Sequence, residues 1–193
     1  MLVIEGPKKT AAFILHPKTG TQSIYRALKT QGKLINRHHG IDLDMLDGFV
    51  ADGHIVAGTV RNPLDAIISW FHYTNPGNTA FAGWLRRYLV GQEGGPYHEV
   101  GMNPRLDEGR MFYGSEWMNR TIIFEQGIEW QVNGILAEIG HDPVEIGHCN
   151  AAKDRRDWRE YYSDDMIRSV ETQFPLDFTE FHYPLKNSSD LLY

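Results

Sequence analysis

Apolar residues are spaced along this chain in two alternating rhythms. Ala11 to Leu15 (AAFIL) is an unbroken apolar run, and beyond the polar segment HPKTGT the residues Ile24, Ala27 and Leu28 recur at helical spacing. The pattern predicts a strand, a tight loop and a helix. Lys33 to Asn36 (KLIN) is a candidate second strand. His54 to Val60 (HIVAGTV) is rich in β-branched residues, lies between turn residues, and predicts another. RNPLDAIISWFHY follows it. There Asn62 suits a helix N-cap, Pro63 suits the first helical position, and Leu64, Ile67, Ile68 and Phe71 form one apolar stripe. A further helix is expected from Phe81 to Leu89. Thr121 to Phe124 (TIIF) predicts a strand, and Ile128, Val132, Ile135, Leu136 and Ile139 predict a helix that Gly140 ends. Ser163 is placed to cap a last helix carrying Met166, Ile167, Val170 and Phe174.

Strands that alternate with helices imply an α/β fold: a single domain over residues 1–193, with a mostly parallel central sheet flanked by helices on both faces. In such folds ligands bind outside the carboxyl ends of the strands. HPKTGT and VRNP both fall at those ends. Asn75 to Pro104 is rich in Gly, Pro, Asn and aromatic residues, and marks an irregular insertion over about 75–106 that reads as a lid or acceptor-side segment.

Composition narrows the picture. A hydrophobic fraction of 41%, a charged fraction of 23% and a net charge of −6 describe an ordinary globular chain without the broad basic face that nucleic acid or an anionic membrane requires. Any anion site must be local. Cys149 is the single cysteine, so neither an intrachain disulfide nor a cysteine metal cluster forms. The opening MLVIEGPKKT is too short and polar for the apolar core of a signal peptide, and no stretch of about 18 apolar residues occurs. A soluble, cytoplasmic protein is expected, with no membrane and no nucleic-acid partner.

Two segments carry anion-binding chemistry. In HPKTGTQS, Gly20 permits a tight turn, several N–H groups and the positive end of the next helix can face one anion, and Lys18 with the hydroxyls of Thr19, Thr21 and Ser23 adds donors. This is P-loop-like but is not G-x-x-x-x-G-K-[ST], because the lysine precedes the glycine. An ordinary strand-to-helix turn with an exposed lysine is the plain alternative. The second segment pairs Arg61, whose planar fork suits a phosphate, with Ser69, which lies off the apolar stripe on the side of Asn62 and Asp65. Many R-N-P sequences merely start helices.

Taken together, PKTGTQS and RNPLDAIIS, in this order and about forty residues apart, resemble the two nucleotide-binding segments of the sulfotransferase family. The TIIFEQ strand, HCNAAKDRRDWREYY and the closing DFTEFHYPL are similar to its C-terminal part. The resemblance implies a sulfotransferase that uses 3′-phosphoadenosine-5′-phosphosulfate (PAPS), releases phosphoadenosine phosphate (PAP), and needs no metal. It implies that Lys18, Thr19, Gly20, Thr21, Gln22 and Ser23 serve the 5′ side and Arg61 and Ser69 the 3′-phosphate. Lys153, Arg155 and Arg156 stand where the family closes over the nucleotide, although the Arg-Lys-Gly version of cytosolic members is absent. Glu125 resembles a glutamate common at its position.

Sulfuryl transfer requires charge stabilisation on a departing phosphate, a role for Lys18, and a base for the acceptor's proton. His39, and after it His38, are the candidate bases, because they follow KLIN and come beside the loop if that strand neighbours AAFIL. His54, His72, His98, His141, His148 and His182 read as structural or solvated, and none shows metal-ligand spacing. Phe71, Tyr73, Phe81, Trp84, Tyr88 and Tyr97 either stack on an acceptor or pack as core. By family analogy the acceptor is a small molecule or carbohydrate with a free hydroxyl. The competing readings are a P-loop small-molecule kinase, which calls for magnesium, and a non-catalytic nucleotide-binding module.

Overall fold

The structure is a computed structural model that describes residues 1–31, 33–34, 43–74, 79–91, 109–112, 114–147 and 156–185. In chain order the elements are β1 (Leu2–Glu5), β2 (Thr10–Ile14), α1 (Thr21–Leu28), β3 (Lys33–Leu34), α2 (Leu43–Ala51), β4 (Ile55–Val60), α3 (Pro63–Thr74), α4 (Phe81–Leu89), β5 (Arg120–Ile123), α5 (Ile128–Ile139), α6 (Asp164–Gln173) and α7 (Pro175–Glu180). Short 3-10 turns lie at Ser115–Trp117, Phe124–Gln126 and Trp158–Tyr161. No helix among the described residues is long and apolar enough to cross a membrane. The chain divides into two compact units, Met1–Arg61 with Gly114–Ala151 and Asn62–Tyr113 with Ala152–Tyr193.

The first unit contains the sheet, in the order β3-β1-β2-β4-β5. The expected α/β class holds. The sheet is parallel from β2 through β4 to β5, and antiparallel where β1 meets β2 and β3. The opening segment, which reads as polar at first sight, supplies β1: four residues pair with β2 through a turn in which the Gly6 N–H donates to the Lys9 carbonyl at 3.0 Å. β4 lies between β2 and β5, and all six of its residues are buried, which is how a parallel strand covered on both faces reads.

Side-chain alternation sends two apolar sets to opposite faces of the sheet. Leu2, Ile4, Ala11, Phe13, Ile55, Ala57 and Ile122 pack with Ile24 and Leu28 of α1 and with Val132, Ile135, Leu136 and Ile139 of α5. Val3, Ala12, Ile14 and Val56 pack with Leu46 of α2, and with Trp117 and Met118. The unit is therefore three-layered. α5 follows its predicted stripe and stops where expected: Gly140 sits at φ 90°, and the N–H groups of Gly140 and His141 donate to the Ala137 and Leu136 carbonyls.

The second unit is helical among the described residues. α3 begins as its sequence predicts, with the Leu64 N–H donating to Asn62 Oδ1 at 3.0 Å, and it buries Leu64, Ile67, Ile68 and Phe71. Ser163 caps α6 by accepting from the Met166 N–H. α7, not anticipated in the sequence, starts at Pro175 directly after Phe174, where a proline suits the first helical position.

Candidate functional site

β2 and β4 run side by side in the same direction, with Ile14 opposite Gly58. Their carboxyl ends therefore release the two anion-type segments at one edge of the sheet. Strand pairing alone brings together residues 43 positions apart, and specific hydrogen bonds then lock them. His16 donates its backbone N–H to Thr59 Oγ1 at 3.1 Å, and its ring Nδ1 lies 2.6 Å from the Thr59 carbonyl. A carbonyl only accepts, so Nδ1 carries a proton. The Thr19 hydroxyl donates to the His16 carbonyl at 2.6 Å and stands 2.5 Å from Thr59 Oγ1. Because the one Thr19 hydroxyl hydrogen goes to His16, the Thr59 hydroxyl is the donor to Thr19. The three residues form a closed ring in which each donor meets an acceptor. Thr21 also donates its hydroxyl to the His16 carbonyl.

The loop backbone above this ring is tightly wound. Lys18 has φ 66° and Gly20 has φ 83°, both left-handed. Space at position 20 is also short: a Cβ there would lie 2.2 Å from Ile128 Cδ1, so the loop packs against the first residue of α5 and a side chain would push that methyl aside. Arg61, buried at 7% exposure, donates from Nη1 to the Lys18 carbonyl at 2.9 Å and lies over the Phe124 ring at 4.2 Å. A cation over a desolvated aromatic face is stabilised by about 2 kcal/mol. Arg61 thus fastens the residue that bears the loop's own positive charge.

The first intrahelical bonds of α1 run from Ser23 and Ile24 to the Gly20 carbonyl, so the N–H groups of Thr21 and Gln22 precede the helical ladder and sit at its positive end. The segment from Leu15 to Ser23 contains no carboxylate. Two cationic side chains, early helix N–H groups and no acid make a donor set suited to an anion. Lys18 is half-buried and Gln22 is exposed.

The expected hydroxyl donors divide. Thr19 is fully buried and its hydroxyl, like that of Thr21, is engaged with the main chain of His16, while Ser23 is 8% exposed. Ser69 and Asp65 are half-buried on α3 in the helical unit, and Asn62, directly before α3, is half-buried as well. His38, His39, Lys153 and Arg155 lie outside the described residues. The premise that placed the histidines requires correction: β3 pairs with β1, and β1 separates it from β2. Two antiparallel steps leave β3 running in the direction of β2, so it ends at the same edge, two strand spacings or about 10 Å away.

Among the aromatic candidates, Phe71, Trp84 and Tyr88 are buried. Phe71 meets Phe81 and Trp84 edge-to-face at 5.2 and 5.4 Å, and Trp84 stacks on Tyr88 at 5.0 Å, so these rings are core of the helical unit. Tyr73 is 70% exposed, and Tyr97 lies outside the described residues. Glu125 and Arg156 are exposed.

Sequence reasoning passed over His16 and Thr59. Their signal was a polar residue two positions past β2 and another next to last in the otherwise apolar β4, both beside the motifs. A second buried titratable group, Asp177 in the helical unit, accepts from the N–H groups of Met111 and Phe112, and burial pushes its carboxyl up to about 7 against the pull of those donors and of Arg110. Burial, and then the charge of Asp177, raise Tyr88 as well.

No family model, curated protein or solved structure matches the chain.

Proposed function

We propose that the protein is a sulfotransferase that moves a sulfuryl group from PAPS to an acceptor hydroxyl, with a carbohydrate hydroxyl as the preferred class. One observation carries the reading. Two segments that resemble the family's nucleotide-binding motifs stand at the carboxyl ends of adjacent parallel strands, and Arg61 of the second is bonded to Lys18 of the first at 2.9 Å. The donor set there suits a phosphate-bearing ligand, and a lysine with a loop already wound around it suits charge that builds on a departing phosphate.

In this reading PAPS supplies an activated sulfuryl group with a phosphate as its leaving group. Lys18 neutralises that phosphate, the N–H groups of Thr21 and Gln22 orient it, and a base takes the acceptor's proton as the new S–O bond forms and the old one breaks. His39 and His38 remain the proposed bases. The 3′-phosphate is assigned to Arg61 and Ser69, with Lys153 and Arg155 closing over the nucleotide, on the strength of the resemblance.

Calorimetric titration with PAP in the absence of magnesium tests the reading. Saturable binding that weakens at least tenfold in Arg61→Ala is the expected result, followed by transfer of labelled sulfate to a member of a carbohydrate panel. No binding of PAP, together with ATP binding that requires magnesium, would overturn it.

A further inference from the structure

The strongest unassigned feature is the buried histidine at the root of the loop. His16 is 2% exposed, it ends the apolar run of β2, and three of its polar atoms bond across 43 residues or within the loop: N–H to Thr59 Oγ1, Nδ1 to the Thr59 carbonyl, and carbonyl O from Thr19 and Thr21. We propose that His16 is a positioning residue that sets the shape of the anion loop through its ring Nδ1–H. The binding part of this inference rests on the PAPS reading, whereas the shape of the loop does not.

The left-handed φ of Lys18 is strained for a residue that has a Cβ, and it persists only where the surroundings hold it. Two groups hold it from outside the loop: Arg61 at the Lys18 carbonyl, and the ring of His16, Thr59 and Thr19 on either side. The Thr19 hydroxyl reaches the His16 carbonyl only while the peptide after His16 keeps its present orientation. The imidazole fixes that orientation by bonding sideways to β4, and it does so from Nδ1. An asparagine places its amide nitrogen where Nδ1 stands, so His16→Asn retains the contact, while His16→Leu fills similar volume without it. This difference separates a positioning role from mere filling of space.

The experiment compares wild type, His16→Asn, His16→Leu and Thr19→Val in the full chain. Amide hydrogen exchange over residues 15–23 is measured without ligand, and PAP affinity is measured by calorimetry. Exchange of the loop amides is expected to rise at least tenfold in His16→Leu and Thr19→Val but to stay near wild type in His16→Asn, with PAP affinity following the same order. Each lost bond between buried groups then shows as about tenfold. Equal protection and equal PAP affinity in His16→Leu and wild type overturn the proposal. If His16→Leu does not fold, Thr19→Val and His16→Asn decide it: a Thr19→Val protein like wild type, or a His16→Asn protein with an unprotected loop, also overturns it. Loop protection that follows the expected order in a protein that does not bind PAP upholds the positioning role and rejects the PAPS reading.

Discussion

Lys18 and Gly20 stand two positions apart in one motif, yet they serve it differently. On the proposed function Lys18 contributes charge, so Lys18→Ala is expected to lose most sulfuryl transfer while the melting temperature stays close to that of wild type; turnover close to normal in that variant would remove the lysine from the chemistry. Gly20 contributes shape. Gly20→Ala puts a methyl into Ile128 at a positive φ and is expected to lower stability as well as PAP affinity, which thermal melts and calorimetry together report. Asp177 offers a third test. Its folded pKa of about 7 lies above the ordinary carboxyl value of 3.8, so between those values the folded chain holds a proton that the unfolded chain has released, and stability falls as pH rises through that window. The melting temperature of wild type relative to Asp177→Asn is expected to decline from about pH 4 to pH 7; a difference that stays flat would mean that Asp177 is not so perturbed. None of this was legible at Asp177, because the sequence around it, PLDFTE, shows only an exposed-looking acid in a turn. Its burial comes from residues 65 and 66 positions earlier.

At the scale of elements, the readable signals were those with a local cause. α3 matches its predicted cap and stripe, α5 its predicted stripe and stop, and α4 its predicted span, because those signals lie within the segment, and β4 matches because a covered parallel strand is apolar throughout. β1 and α2 were missed. LVIE is short and precedes a charged turn, and the helix Leu43–Ala51 includes Asp44, Asp47 and Gly48. Only pairing with β2 and packing of Leu46 on the sheet explain them, and neither is visible in the local sequence. The premise about KLIN failed for the same reason: it supposed that this strand adjoins β2, and β1, which lies between them, had not been seen. One contact between elements gives a stability prediction. The Gln131 side chain accepts from the Ile123 N–H at 2.9 Å and donates to the Ile123 carbonyl at 2.8 Å, so an amide on α5 completes the last residue of β5. Gln131→Leu leaves both groups unmet and is expected to cost about 1–3 kcal/mol in chemical denaturation; a loss within error of zero would show that water replaces the amide.

Across the whole molecule, the sheet unit carries the loop, Arg61 and the His16 ring, and the helical unit carries Ser69 and the aromatic core. The α/β class and the site at the strand ends could be read from alternation alone, because that rule follows from how parallel strands connect. Which hydroxyls face inward could not, because Thr19 and Thr59 meet only after β2 and β4 pair. This pairing also sets an order of events during synthesis. A ribosome that adds about 5–20 residues per second produces Thr59 roughly two to nine seconds after His16, given the 43 positions between them. For most of that interval the nascent chain contains every residue of HPKTGT but neither the Thr59 nor the Arg61 contacts that brace it, so the motif is held in its final shape only once β4 and Arg61 have been made.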